Sequence, residues 1–363
     1  MPTFEEQHTL TLRIGGRDYP IWQTVDVSYG IETGARDFAI ESTRDAEKVS
    51  QGEIYLGDAC EIFIGPPQRK RKVLTGYVDG INPSYDPAGS RITINGRSRT
   101  GDLIDSCHVG KRRFNRQSVG AILLEMLDPH GISATVDGDI GELVDRFSID
   151  VGDKVFDAIE SLTERFGFLV YDDADGDLVL QRAVDGSFSA SPNDVLRRGV
   201  NIKSAEGTFD ASQVYSTYRC KGQAVGTDEG FGDLAAGIEA LERTTAIGRA
   251  RVLVMTGEGS STARCKARAQ WEAATRIGRA SSVSYTLCGW YRSDGNLWQP
   301  GTTVEVDDPF MRVSGRLLIT NVGLHKSSED GTTAELTLGP EYGYYARLPE
   351  KTKRSIGAWR SPV

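Results

Sequence analysis

The sequence predicts an α+β, mainly β protein: two similar β-barrel domains flanking a small α+β domain, with a helical insertion in the second barrel. Three observations carry this expectation. Apolar residues alternate at period 2 over residues 9–100 and again from Gln213 to about Leu338. Between those regions the apolar period lengthens to that of a helix. Two distant β segments also match each other without a gap. The expected divisions are 1–100 for the first barrel, 101–205 for the α+β domain with two helices, 206–347 for the second barrel with its insertion and helix, and 348–363 for a C-terminal tail.

In the first region Leu10, Leu12 and Ile14 alternate, and Gly15-Gly16 gives a turn. Val25, Val27, Tyr29 and Ile31 follow, then Phe38 and Ile40, then Cys60, Ile62 and Ile64, then Val73 to Ile81, then Arg91 to Asn95. Many short strands separated by Gly, Pro and Asp suit a small barrel or sandwich. A helix is expected next, capped by Asn115, with Val119, Ile122, Leu123, Met126 and Leu127 on one face and Asp128-Pro129-His130-Gly131 as its end. A second starts at Asp153, carries Val155, Ile159, Leu162 and Phe166, and stops at Gly167. From Gln213 the strands return. Residues 222–249, rich in Gly and Ala, read as an insertion with a short helix over Leu234–Glu242. A helix over Thr262–Ile277 places Ala263, Ala267, Trp271 and Ala274 on one face.

Residues 57–96 align with 301–340 at a constant offset of 244. Gly57 meets Gly301, Val73-Leu74 meet Leu317-Leu318, Val78 meets Val322, Asp86 meets Asp330, and Ile92 and Ile94 meet Leu336 and Leu338. Duplication of one barrel unit explains this, and shared strand-turn alternation is the competing explanation. Two similar barrels per chain would give six similar units in a closed trimer.

Composition bounds the function. The 39% hydrophobic and 26% charged content is that of an ordinary globular chain. The longest apolar runs are too short to span a membrane, and MPTFEEQHTL lacks the basic and apolar regions of a secretory signal, so no membrane insertion is expected. The net charge of −9 disfavours broad duplex binding. Basic runs at Gln68–Lys72 and Lys351–Arg354 suit solvated loops. The five cysteines (Cys60, Cys107, Cys220, Cys265, Cys288) form no C-x-x-C, and the four histidines have no metal-ligand spacing, so neither disulfides nor a metal are expected.

Candidate chemistry is sparse. Asp172-Asp173-Ala174-Asp175-Gly176-Asp177 resembles the start of a calcium loop, but the twelfth position is Val184 or Ala183 instead of Glu, and a hairpin turn is the better reading. Asp307-Asp308 before Pro309 reads as the end of a strand. No nucleophile elbow, P-loop, dinucleotide fingerprint or zincin motif occurs. No catalytic, cofactor or metal residues are assigned, and no enzyme is expected.

GYVDGINPSYD (76–86) followed by GRSRTGDLIDSC (96–107) resembles the 43 kDa tail protein family of Mu-like phages, the baseplate hub. So do SVGAILLEML, DKVFDAIESLTERFGFLVYDDADGDLVLQRA, GNLWQPGTTVEVDDPF and LLITNVGLHKSSEDGTTAELTLGP. The resemblance implies a homotrimer whose barrels build a pseudo-sixfold ring. That ring would join the tail tube and baseplate proteins to the membrane-piercing spike protein, and DNA would pass through it without specific binding. It implies a virion tail baseplate protein assembled in the host bacterial cytoplasm. A hub of a bacteriocin or type VI-like machine is the alternative; a β-rich glycan hydrolase is a more distant one.

The residues of interest are therefore architectural. Arg97, Arg99 and Asp102 are expected to pin the first barrel to the α+β domain or to a neighbouring chain, against the alternative of solvated arginines. Trp298 is expected to bury at the second barrel's edge. Trp271 and Trp290 are core or trimer-interface candidates. The basic tail from Leu348 to Val363, with Trp359, either reaches a partner or is mobile.

Overall fold

The computed structural model describes residues 8–20, 22–43, 54–87, 89–137, 140–141, 143–182, 188–222, 238–257 and 262–345. The first period-2 region forms β1 (Leu10–Ile14), β2 (Arg17–Tyr19), β3 (Thr24–Gly30), β4 (Asp37–Ser42), β5 (Ala59–Ile64), β6 (Arg71–Asp86) and β7 (Gly89–Ser98). Burial alternates along β4 and β5 as the sequence does. Gly15 and Gly16, at φ 57° and 81°, turn β1 into β2.

The middle region holds α1 (Gly101–Asp105), β8 (Arg113–Ser118), α2 (Val119–Leu127), β9 (Ala134–Asp137), β10 (Leu143–Ser148), α3 (Val155–Glu164), β11 (Leu169–Asp172) and β12 (Leu178–Gln181). Both expected helices are present, but their starts differ. Asn115 lies in β8 opposite Arg146, and Ser118 caps α2 by accepting from Ala121 N–H at 3.3 Å. The Asp153 carboxylate accepts from Asp150 N–H at 2.8 Å, so α3 begins two residues later. Met126, Ile122, Ile159, Leu162 and Phe114 form a core of their own with Leu178 and Leu180.

The remaining elements are β13 (Ser189–Arg197), β14 (Ile202–Phe209), β15 (Thr217–Gly222), β16 (Glu239–Arg243), β17 (Val252–Gly257), α4 (Thr262–Arg279), β18 (Ser281–Cys288), β19 (Thr302–Asp308), β20 (Val313–Ser327) and β21 (Gly331–Gly339). The helix expected over Leu234–Glu242 is not what forms at its C-terminal half. Residues 239–243 are strand β16, because Ala240 and Glu242 face inward at period 2; residues 234–237 lie outside the described residues. Strands β15, β16 and β17 make a separate small sheet, on which α4 packs Cys265, Ala269 and Ala273 against Tyr218 and Cys220. The expected stripe is met only in part: Ala274 is buried, but Ala263 is exposed and Ala267 and Trp271 are only half-buried.

The other strands form one sheet, in the order β14-β18-β21-β20-β3-β4-β7-β6-β5-β1-β2, with β13 and β19 branching from β20. The two β regions are thus joined edge to edge by the antiparallel pairing of β20 with β3. Among the described residues these pairings follow an open path, and neither half closes on itself by hydrogen bonds. One hydrophobic core runs through both halves, from Leu12, Phe38 and Ile94 to Tyr285, Trp290 and Leu336.

The internal match has a structural counterpart. Strands β5-β6-β7 and β19-β20-β21 are equivalent antiparallel meanders. The ungapped offset needs correction, however. β6 bulges at Asp79 and β20 at Thr320, which places these strands at an offset of 241. The loops that follow differ in length, and β7 and β21 then correspond at 242.

Candidate functional site

The described residues bring the architectural candidates to two places: a junction between the first β region and the middle region, and the shared core. At the junction β7 runs into α1. Arg97, at the end of β7, donates through Nε to Asp79 at 2.9 Å and through both Nη atoms to Asp105 of α1, at 3.2 and 2.5 Å. This fork suits the planar guanidinium, and its hydrogen bonds hold the Asp105 carboxyl below its ordinary range. Arg99 donates to the Gly131 carbonyl and lies 3.7 Å from Asp177. Asp102 is exposed in the first turn of α1; its backbone N–H donates to the Arg99 carbonyl at 3.1 Å, and its own carbonyl accepts from Ser106 N–H at 3.0 Å.

The acidic hairpin between β11 and β12 completes the junction. Asp173 organises the turn by accepting from the N–H groups of Asp175 and Asp177, at 2.8 and 3.1 Å. Gly176 (φ 76°) lies so close to β6 that a Cβ would sit 2.7 Å from the Thr75 carbonyl. Thr75 donates to the Ala174 carbonyl at 2.9 Å, and Lys72 pairs with Asp175. The basic run is therefore partly spent on this contact, and Lys70 pairs with Asp18 at 2.7 Å. Among the described residues no His/Cys/Asp/Glu group is arranged to hold a metal.

Asp172 is the buried member, and sequence reasoning missed its partner. Its carboxylate accepts from Arg36 N–H at 3.0 Å, and its carbonyl accepts from Arg36 Nη2 at 3.2 Å. The side chains approach at 3.4 Å, Nε to Oδ1, too poorly aligned for a hydrogen bond. Arg36 also donates to the Val73 carbonyl at 2.8 Å and lies over the Tyr29 ring. Burial pushes the Asp172 carboxyl up, and Arg36 pulls it back. A lone arginine in the loop before β4 offers no pattern that marks it as the partner of a residue 136 positions away.

The tryptophans divide. Trp290 is a core residue: its ring N–H donates to the His325 carbonyl, and its backbone N–H to His8 Nε2, both at 3.0 Å. Trp298 is buried, and its carbonyl accepts from the Tyr29 hydroxyl at 2.9 Å, bridging the two β halves. Trp271 is half-buried on α4 with the Arg268 guanidinium 4.6 Å from its ring. The tail residues 348–363 lie outside the described residues. A shallow cleft of about 450 Å³ lies between Lys203, Cys288, Tyr291 and Trp298. Among its described lining residues, Asp194 accepts from Ser293 N–H at 3.1 Å.

Comparison with known proteins agrees with this architecture. Residues 9–98 match the N-terminal domain of the Mu phage baseplate assembly protein GpP-like family. Residues 100–182 match the second domain of the baseplate hub protein gp44-like family, and residues 261–347 match the fourth domain of Mu phage baseplate assembly protein GpP. The chain is 26% identical to baseplate hub protein gp44 of Escherichia phage Mu, over 96% of its own length and 92% of the relative's. It is 28% identical to the 43 kDa tail protein of prophage MuSo2 from Shewanella oneidensis, with a TM-score of 0.79, covering 93% of this chain and 99% of that one. An E. coli type VI secretion component shares the fold at 13% identity and a TM-score of 0.57, over 93% of this chain and 79% of that one. With three domain matches in chain order and similarity along nearly its whole length, the chain belongs to the baseplate hub family of Mu-like phages.

Proposed function

We propose that this protein is the baseplate hub of a contractile phage tail and works as a homotrimeric ring. The observation that carries this reading is the repeated meander: each chain holds two equivalent three-stranded units joined through the β20–β3 seam. Three chains then present six similar units, which suits a sixfold tube on one side and a threefold spike on the other. DNA passes through the ring without specific contacts, in keeping with the net charge of −9. The division into a first β domain, a middle α+β domain and a second β domain belongs to this reading. So do the junction role of Arg97 and Arg99, assembly in the host cytoplasm and residence in the virion baseplate. The fold shared with a type VI component makes the hub of a related injection machine the second reading, to be separated by the partners that co-purify.

Light scattering coupled to size exclusion tests the ring. The expected mass is three times 39.6 kDa. A monomer at micromolar concentration, with or without added spike protein, overturns the proposal.

A further inference from the structure

The middle region carries a cationic face that the rest of the chain does not neutralise. Residues 108–118 hold Lys111, Arg112, Arg113 and Arg116 and no Asp or Glu, in a chain whose net charge is −9. β8 carries most of this segment and pairs antiparallel with β10. Arg113 opposes Ser148, Phe114 opposes Phe147, and Asn115 opposes Arg146. Directly opposed residues share a face of the ribbon. Phe114 and Phe147 are buried in the middle core, so Arg113 and Arg146 are diagonal neighbours on the outer face. The same register runs past the strand ends. The Arg112 carbonyl accepts from Ile149 N–H at 2.9 Å, the Asp153 carbonyl accepts from His108 N–H at 3.0 Å, and Cys107 bridges Lys154. This brings Val109 and Val151, 90% and 82% exposed, to one end of the ribbon.

Elsewhere in the molecule arginines are spent on carboxylates: Arg97 on Asp79 and Asp105, Arg276 on Glu272, Arg316 on Glu341. Here they are not. Lys111, Arg112, Arg113, Arg116 and Arg146 are all exposed, and among the described residues none lies within ion-pair distance of a carboxylate. The neighbouring acids are Asp145, Asp150 and Asp153, and the Asp153 carboxylate accepts from Asp150 N–H. Lys111 lies 5.2 Å from the Phe114 ring. Arg116 adds a backbone cost. Its φ of 48° falls in the left-handed region that a Cβ disfavours. Its side chain makes no hydrogen bond or ion pair among the described residues. Such strain persists where something compensates it, and no described side-chain contact does so within the chain.

We propose that this face docks an acidic segment of a different protein. Carboxylates of the partner pair with Arg113, Arg116 and Arg146, and its apolar carbons rest on Val109 and Val151. The guanidinium fork suits carboxylates bidentately, and the charge of the ribbon is opposite to that of the chain that carries it. A phosphate backbone would be held by the same arginines but offers nothing to the exposed valines. A lipid surface would favour aromatic anchors and a larger apolar face than two valines provide.

Fluorescence anisotropy of labelled poly-L-glutamate, titrated with the full chain, tests the site. Binding is expected to weaken at least about tenfold in Arg113→Glu with Arg146→Glu. It should weaken similarly when salt rises from about 0.05 to 0.5 M. Arg116→Gly separates docking from architecture. Glycine relieves the left-handed backbone, so the unfolding midpoint should hold or rise while binding falls at least about threefold. A merely structural arginine would shift the midpoint and leave binding alone, which would remove Arg116 from the site. The proposal is overturned if the native chain fails to bind poly-L-glutamate. It is also overturned if a duplex DNA oligonucleotide or phosphatidylserine vesicles bind more tightly through the same arginines. Light scattering supplies the last arm: a lower mass for Arg113→Glu with Arg146→Glu than for the native chain assigns the surface to contact between copies and overturns the proposal as well.

Discussion

At the scale of single residues, the Arg36–Asp172 pair is the most consequential contact between the first β region and the middle region. Both side chains are nearly inaccessible, so neither can be rehydrated if the other is lost. Arg36→Ala or Asp172→Ala is expected to lower the free energy of unfolding by about 3–5 kcal/mol in urea titration. Arg36→Met with Asp172→Leu is expected to recover part of that loss, because apolar side chains need no desolvation to be buried there; the Val73 carbonyl then loses its donor. His325 supplies the pH dependence. It faces Asp26 at 2.7 Å across the seam and Glu335 of β21 at 3.8 Å, and Lys326 is turned toward the His8 carbonyl. The hydrogen bond to Asp26, ahead of the opposing burial, raises its pKa. The folded protein therefore holds this proton more tightly than the unfolded chain. The stabilisation is complete below about pH 6.5 and is lost as pH rises through the folded value. Because both side chains are more than a third exposed, it amounts to about 1 kcal/mol or less. The difference in stability between the native chain and His325→Gln should shrink between pH 6 and pH 8.5; a constant difference would show that the pair is not charged.

At the scale of elements, α4 shows how two glycines replace side-chain packing. Gly278 meets Gly343 of the 3₁₀ turn Glu341–Tyr344 so closely that a Cβ on Gly278 would lie 2.2 Å from the Gly343 Cα. Neither backbone has a flexible end to move. Gly278→Ala is expected to cost about 1–3 kcal/mol and to release the turn, with Tyr344 gaining exposure detectable by hydrogen exchange nearby. The same helix marks the limit of what the sequence discloses. Its existence and extent were legible from its composition, but alanines at 263, 267, 269, 273 and 274 offer two competing stripes, and small residues give little contrast between them. The face that packs is the one carrying Cys265, Ala269 and Ala273. In α2 the contrast between Leu, Ile, Met and polar residues was strong, and the face was read correctly. Strand β16 was misread because Ala-Leu-Glu-Arg favours a helix locally and pairing with β15 overrides it. The junction divides in the same way. Arg97 and Arg99 stood out in a dense polar corner, whereas the Arg36–Asp172 pair depends on a long-range approach that no local pattern encodes.

At the scale of the whole molecule, the β halves are distant in sequence but share one sheet and one core. The sheet passes through the seam, and one core continues from the first half to the second. The Trp298 carbonyl accepts from Tyr29 across the divide, and the Trp290 backbone N–H donates to His8, just ahead of β1, whose ring meets the indole edge-on. Two independent barrels would unfold as two units, and a cavity in one would leave the other's transition alone. A shared core predicts the reverse. Ile94 and Leu336 are twins in the repeat and are both fully buried. Ile94→Ala and Leu336→Ala are each expected to cost about 2–5 kcal/mol. Both should move the same transition, followed by tryptophan fluorescence, because Trp22, Trp290 and Trp298 all lie in the shared core. If Ile94→Ala shifted one transition and Leu336→Ala another, the seam would be a contact between separately folding units, and strand pairing through β20 and β3 would be too weak to make them one.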